Sequence, residues 1–212
     1  MGGARVHPAS TVVLLRPTAR RFEVFLVRRH DSVAFMGGAH VFPGGRVEDV
    51  DRKGSTTDLE AYRRAAAREL AEEAGVVIAP DALTPFDRWI TPEIEIKRFD
   101  AMFFLAILPS DQKAAHGGGE TSDGIWIDPA DAVAESRSGA IALPPPTWTT
   151  LRTLERFPTI DAAFAWAKTR QVIPVRPHFT TLNGISTLTL PEGTAAETTF
   201  VLEGGRWKAQ RS

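Results

Sequence analysis

The chain has 212 residues, 43% hydrophobic and 24% charged, which excludes collagen-like, coiled-coil and wholly disordered classes and suits one domain with an extension. Twenty-five basic against 26 acidic residues give a formal charge of −1, leaving no global field to grip a nucleic-acid backbone. The absence of cysteine removes disulfides, thiolate metal sites and a cysteine nucleophile together.

The N-terminus, Met1-Gly2-Gly3-Ala4-Arg5, lacks the apolar core of a signal peptide. Residues 11–16 and 22–28 are short apolar runs separated by Pro17-Thr18-Ala19-Arg20, which predicts a hairpin. A glycine-bearing loop leads to His40-Val41-Phe42 and the turn Pro43-Gly44-Gly45, and polar residues 48–56 read as a loop. A helix is predicted over 58–74. Thr57 with Glu60 three residues on forms a capping box, Leu59, Tyr62, Ala66 and Leu70 recur as a core face, and Gly75 suits the C-cap. Strands are expected at 86–91, 98–108 and 124–128. The apolar run inside the second, Ala101 to Leu108, is far short of the roughly 20 residues that cross a bilayer. Pro129 opens a short helix, 140–147 reads as a proline-rich hinge, and 148–169 as two short helices broken at Pro158. Strands at 184–190 and 198–207 follow, with a tight turn at Glu203-Gly204-Gly205-Arg206. This alternation argues an α/β or α+β layered fold in a cytoplasmic protein that binds neither membrane nor nucleic acid. The division expected is 1–140 for the main domain and 141–212 for an extension packed on it, which either covers the site or builds a homodimer.

The chemistry concentrates in Arg68-Glu69-Leu70-Ala71-Glu72-Glu73-Ala74-Gly75-Val76. At about 100° per residue, Glu69, Glu72 and Glu73 share one narrow face of the helix. Like charges at these spacings cost a few tenths of a kcal/mol per pair, so something must offset them. Arg68 stands four residues before Glu72 and neutralises one carboxylate. The remaining hard oxygens suit Mg²⁺ or Mn²⁺ rather than zinc. A solvated acidic face is the plain alternative for such a turn in isolation.

Together with Phe42-Pro43-Gly44-Gly45, the stretch Arg68 to Val76 resembles the signature of the Nudix hydrolases. The resemblance covers about residues 10–135 and implies a Nudix-like α/β/α sandwich with a mixed β-sheet, carrying a C-terminal α+β extension. It implies metal-dependent cleavage of a diphosphate linked to a nucleoside. Glu69 and Glu73 would be the principal metal ligands, Glu72 would share a second ion, and the Gly45 backbone would complete the set. Arg68 would orient the carboxylates. Glu120, before Gly124-Ile125-Trp126-Ile127, would be a further ligand or the general base. The literal spacing of the family string is met by Gly54, Glu60 and Arg68, but the PGG turn assigns the metal-ligand role to Gly45 and leaves Glu60 to cap the helix.

The substrate reading follows from the same resemblance. Glu48 and Asp51 after the PGG turn, with 35–45 and 97–104, look like the long-loop, peroxisomal-type members of the coenzyme A diphosphatase branch. That branch's upstream signature is met at Arg29 and Gly38, whereas Val27 and Ala34 stand in place of its threonine and second arginine. Coenzyme A carries a 3′-phosphate that needs a cation, and Arg98 is the leading candidate, with Gly44 and Arg46 also placed at the substrate. Trp89 or Phe42 would stack on adenine. ADP-ribose or a nucleoside diphosphate sugar is the rival substrate, and a non-catalytic ligand-sensing module the alternative from another class.

Overall fold

The computed structural model describes residues 5–31, 37–115, 121–194 and 198–210. Its organising element is β1 (Val6–Pro17), whose side chains alternate between two buried faces. Val12 and Leu14 point into one apolar cluster, Val13 and Leu15 into another, and none of the four is exposed. A strand buried on both faces needs a layer on each side.

In the plane of the sheet, β1 lies parallel to β6 (Arg98–Ile107) from Val6 to Leu15. The expected hairpin forms with β2 (Phe22–Arg29), antiparallel, Leu15 opposite Val24. That pairing holds only from Leu15 to Pro17. Beyond it β1 and β2 part, and two short strands fill the wedge: β3 (His40–Val41) on β2, and β4 (Gly44–Arg46) on β1 beside Ala9 to Thr11. β5 (Thr84–Ile90) joins the far edge of β6, and β7 (Thr121–Ile127) the outer edge of β2. The result is a mixed sheet of 7 strands. The Pro43-Gly44-Gly45 turn thus sits inside the opening between the two central strands.

Polar residues 48–56 are not all loop, because a four-residue helix, α1 (Asp49–Arg52), forms inside them. One face of the sheet is covered by α2 (Asp58–Ala74), whose bounds agree with the predicted helix. The Thr57 hydroxyl accepts from the Glu60 amide at 3.2 Å, and Gly75 ends the helix at φ 66°. The Glu60 carboxylate reaches past Thr57 to accept from the Thr56 amide at 2.8 Å, so the capping box closes one residue early. The buried face is mostly alanine, Ala61, Ala65, Ala66 and Ala74 with Tyr62 and Leu70, which lets the helix lie close to the sheet. Leu59, expected in that face, is 37% exposed. At this short separation the Ser10 hydroxyl donates to the Tyr62 carbonyl at 2.7 Å.

The opposite face is covered by α3 (Pro129–Ser138), α4 (Pro145–Leu154) and α5 (Ile160–Thr169). Leu151, Leu154, Ile160 and Ala163 share a cluster with Val13, Leu15, Phe22 and Val24. The second helical layer of the sandwich therefore comes largely from residues beyond 140. The proline hinge is shorter than expected, because Pro145 and Pro146 lie in the first turn of α4, where no amide partner is lost. After α5 the chain forms an antiparallel four-stranded sheet in the order β11-β10-β9-β8. Its strands are β8 (His178–Leu182), β9 (Ile185–Thr189), β10 (Thr199–Glu203) and β11 (Arg206–Ala209). β8 is not among the strands that the residue pattern predicts. Both two-residue turns, Asn183-Gly184 and Gly204-Gly205, hold positive φ at each position, the conformation that matches the twist of a tight hairpin. Among the described residues no helix is long and apolar enough to cross a membrane.

Because Leu151 is fully buried against the sheet, Leu151→Ala should destabilise the whole molecule by about 2–5 kcal/mol in denaturant unfolding, with one transition. A loss below about 1 kcal/mol, or a separate early transition, would show that the helices past 140 do not share the core.

Candidate active site

The wedge between β1 and β2 brings backbone against the acidic turn of α2. The Gly44 amide donates to Glu73 Oε2 at 2.9 Å. A Cβ on Gly44 would lie 2.3 Å from the Ser10 carbonyl oxygen, and one on Gly45 would lie 2.3 Å from Glu69 Oε1. Gly44 is required by close approach, because its Cβ would meet the backbone of Ser10 and Thr11, whereas a Cβ on Gly45 would displace the Glu69 carboxylate.

Arg68 holds this arrangement. Its Nη1 donates to Glu69 Oε1 at 2.8 Å and to Glu72 Oε2 at 3.1 Å. Its Nε and Nη2 grip the two carboxylate oxygens of Asp51 at 3.2 and 3.0 Å, and Nη2 also meets the Arg46 carbonyl at 2.9 Å. Asp51 is 4% exposed, and its Oδ2 also accepts from the Glu48 amide at 2.8 Å, which caps α1, while the Arg68 contact ties α1 to α2. The Asp51 contact chiefly, with the Glu69 contact behind it, drives the Arg68 pKa far up. Burial pushes the Glu69 carboxyl above its ordinary range, and the Arg68 guanidinium only partly offsets it. Glu72 is the carboxylate most open to solvent, its side chain 58% exposed.

These residues form one end of a cleft of about 870 Å³, lined by Gly44, Gly45, Glu69, Glu72 and Glu73. Arg46 also lines it, its Nη2 2.9 Å from His7 Nδ1. Arg98 does not line it. It is 8% exposed, its Nε donating to the Thr91 carbonyl at 3.2 Å, and the cation that its segment presents to the cleft is Lys97. Trp89 and Phe42 are core residues whose surfaces reach the cleft wall, and the Trp89 indole donates to the buried Asp87 at 3.0 Å. Glu120 lies outside the described residues. Motif spacing alone misses Asp51 as the anchor of Arg68, and it misses Glu48 and Glu95 as part of the cleft wall. For Glu48 and Asp51 the available signal is their acidic spacing directly behind the PGG turn.

The donor set is all hard oxygen, matching magnesium or manganese. Among the described residues no three acidic or histidine side chains close on one point tightly enough to hold an ion as they stand. Glu69 and Glu72 are turned to Arg68 and Glu73 to Gly44, and the donors fit such an ion in kind.

The NUDIX domain family model matches residues 5–145 of this chain. The chain belongs to the Nudix family. It is accordingly a hydrolase acting on diphosphate anhydrides, and Nudix hydrolases generally use divalent metals. Among curated relatives it is 28% identical to "Putative nudix hydrolase 7" of Caenorhabditis elegans, over 80% of this chain and 67% of that one. It is 23% identical to "Acyl-coenzyme A diphosphatase NUDT19" of Homo sapiens, over 68% of this chain and 64% of that one. The chain thus spans about two thirds of the length of these two relatives. A crystal structure of a NUDIX hydrolase from Alicyclobacillus acidocaldarius superposes with TM-score 0.69 at 23% identity, covering 81% of this chain and 99% of that one. That likeness establishes the fold.

The two glycines that compete for the motif's first position behave differently in this Nudix protein. Gly54 sits at φ 78° on the exposed loop before α2, its nearest prospective contact being the Arg64 guanidinium at 3.6 Å. Gly54→Ala should therefore cost about 1–2 kcal/mol of stability through the left-handed backbone and leave turnover within about twofold. Gly45→Ala forces the Glu69 carboxylate aside and should lower turnover at least about tenfold. Equal turnover losses in the two variants would mean that the loop around Gly54, not the PGG turn, approaches the carboxylates.

Glu69 gives a pH prediction for the metal-free protein. A carboxyl whose folded pKa is raised favours folding while protonated, and that contribution is lost as pH rises through the raised value. Glu69→Gln should therefore melt higher than wild type at pH 7 in chelator, the gap narrowing as pH falls through the raised value and gone below about 4. A variant that melts lower at pH 7 would show that the Arg68 contact outweighs burial.

Proposed function

We propose that the protein is a divalent-metal-dependent pyrophosphohydrolase whose substrate is coenzyme A or an acyl-coenzyme A. The observation that carries this reading is that one cleft joins the Glu69–Glu73 turn to the cations Arg46 and Lys97. Its acidic end suits a metal-bridged diphosphate, and its cations suit a further phosphate such as the 3′-phosphate of coenzyme A. The similarity to the human acyl-coenzyme A diphosphatase points the same way.

Magnesium or manganese would be held by Glu69, Glu73 and Glu72 with the Gly45 backbone, supplying charge neutralisation and an acidified water. The chain's own work is to position. Arg68 fixes Glu69 and Glu72, the Gly44 amide fixes Glu73, and the bare backbone of both glycines lets a phosphate group approach. Arg98, expected to grip the 3′-phosphate, is buried away from the cleft. Lys97 takes that role in this proposal.

With Mg²⁺ or Mn²⁺ present, Glu73→Gln should lower kcat by about 10²-fold or more. Near-wild-type turnover would remove the carboxylates from the chemistry. Dephospho-coenzyme A should be the poorer substrate, by about 1.5–3 kcal/mol for one lost charged hydrogen bond, or about 10- to 150-fold in kcat/KM. Lys97→Ala should narrow that gap. Equal rates on the two compounds would remove the 3′-phosphate argument, and faster cleavage of ADP-ribose than of either would assign the site to the rival substrate.

A further inference from the structure

Part of the cleft wall is not explained by the catalytic turn. It consists of the proline segment Pro144–Pro146, the partly buried Trp207 of β11 and the little surface that the core residue Leu188 of β9 leaves open. Trp207 is held edge-on to Phe179 of β8, ring centroids 6.3 Å apart at 84°, so its ring is fixed by the small sheet. The cleft lining also includes Ile96, which is 90% exposed. Leu188 and Trp207 lie beyond residues 5–145 that match the family, so this part of the wall is an addition carried by the C-terminal sheet. A diphosphate with its metal ions needs none of it.

We infer that the C-terminal β8–β11 sheet is a substrate-reading element, and that Trp207 and Leu188 form a subsite for a linear acyl chain carried on the diphosphate substrate. This inference rests on the coenzyme A reading above and specifies which form of that substrate the site prefers. The chemistry of the wall selects the class. Proline, leucine, isoleucine and an indole ring offer apolar area and few hydrogen-bond partners, so an alkyl chain gains by leaving water. A sugar on the same wall would lose water from hydroxyl groups that find no replacement there. The wall therefore favours an acyl thioester over free coenzyme A, and disfavours a nucleoside diphosphate sugar whose distal ring must lie on it.

The test is a chain-length series on the intact protein: free, acetyl-, butyryl-, hexanoyl- and octanoyl-coenzyme A, with kcat/KM measured for each. In the wild type each added methylene should raise kcat/KM about two- to fourfold until the wall is covered. Trp207→Ala should cut the ratio of octanoyl- to free coenzyme A by at least about tenfold and flatten the series, while Trp207→Phe should restore most of the slope. Because the readout is a ratio within one enzyme preparation, partial misfolding lowers both terms and does not imitate the effect. A flat series in the wild type, or an unchanged ratio in Trp207→Ala, overturns the acyl subsite while leaving coenzyme A as the substrate. Hydrolysis of ADP-ribose with none of any coenzyme A thioester or of free coenzyme A overturns the substrate reading itself, and the subsite with it.

Discussion

One guanidinium carries the active end of this molecule. Arg68 bonds to Asp51, Glu69, Glu72 and the Arg46 carbonyl, and so joins α1, β4 and the acidic turn of α2. Three carboxylates on one helical turn repel one another, and a planar fork with five donors is the side chain best able to hold several oxygens in fixed directions. The buried Asp51 gives the fork a partner that water does not compete for. The remaining donors are then free to set the two glutamates.

The sheet explains why that turn meets backbone rather than side chains. β1 and β2 separate after a short pairing, and β3 and β4 enter the gap from the two sides. Gly44 and Gly45 come to rest where any Cβ would strike Ser10 or Glu69. The alanine face of α2 adds the second condition, since a bulkier face would lift the helix and its glutamates away from the wedge. On the reverse face, α4 and α5 complete the core, and the chain after them supplies Leu188 and Trp207 to the wall of the same cleft.

Much of this is legible in the sequence because it is local. The cap, periodicity and terminal glycine of α2 are all written within its own residues, as are the hairpin and the acidic turn. What escapes depends on partners distant in sequence. Asp51 looks like one more loop acid until Arg68, 17 positions on, is folded onto it. Arg98 looks like a phosphate cation because it stands beside Lys97, but Arg98 opens β6 and is buried, whereas Lys97 stays on the exposed turn before it. The prolines before α4 read as a hinge, although proline is well tolerated in a first helical turn. β8 escapes because its residues are mostly exposed and its apolar pattern is weak, although Asn183-Gly184 after it is a hairpin turn signal.

The central claim is that Arg68 sets the geometry of the metal-binding carboxylates, and calorimetric Mn²⁺ titration of wild type and Arg68→Lys tests it most directly. Lysine keeps the charge and loses the fork. Loss of an orienting partner of metal ligands costs about 10- to 100-fold in affinity, so the variant should bind Mn²⁺ at least about tenfold more weakly with its fold intact by circular dichroism. An unchanged Kd in a folded Arg68→Lys protein would contradict the account.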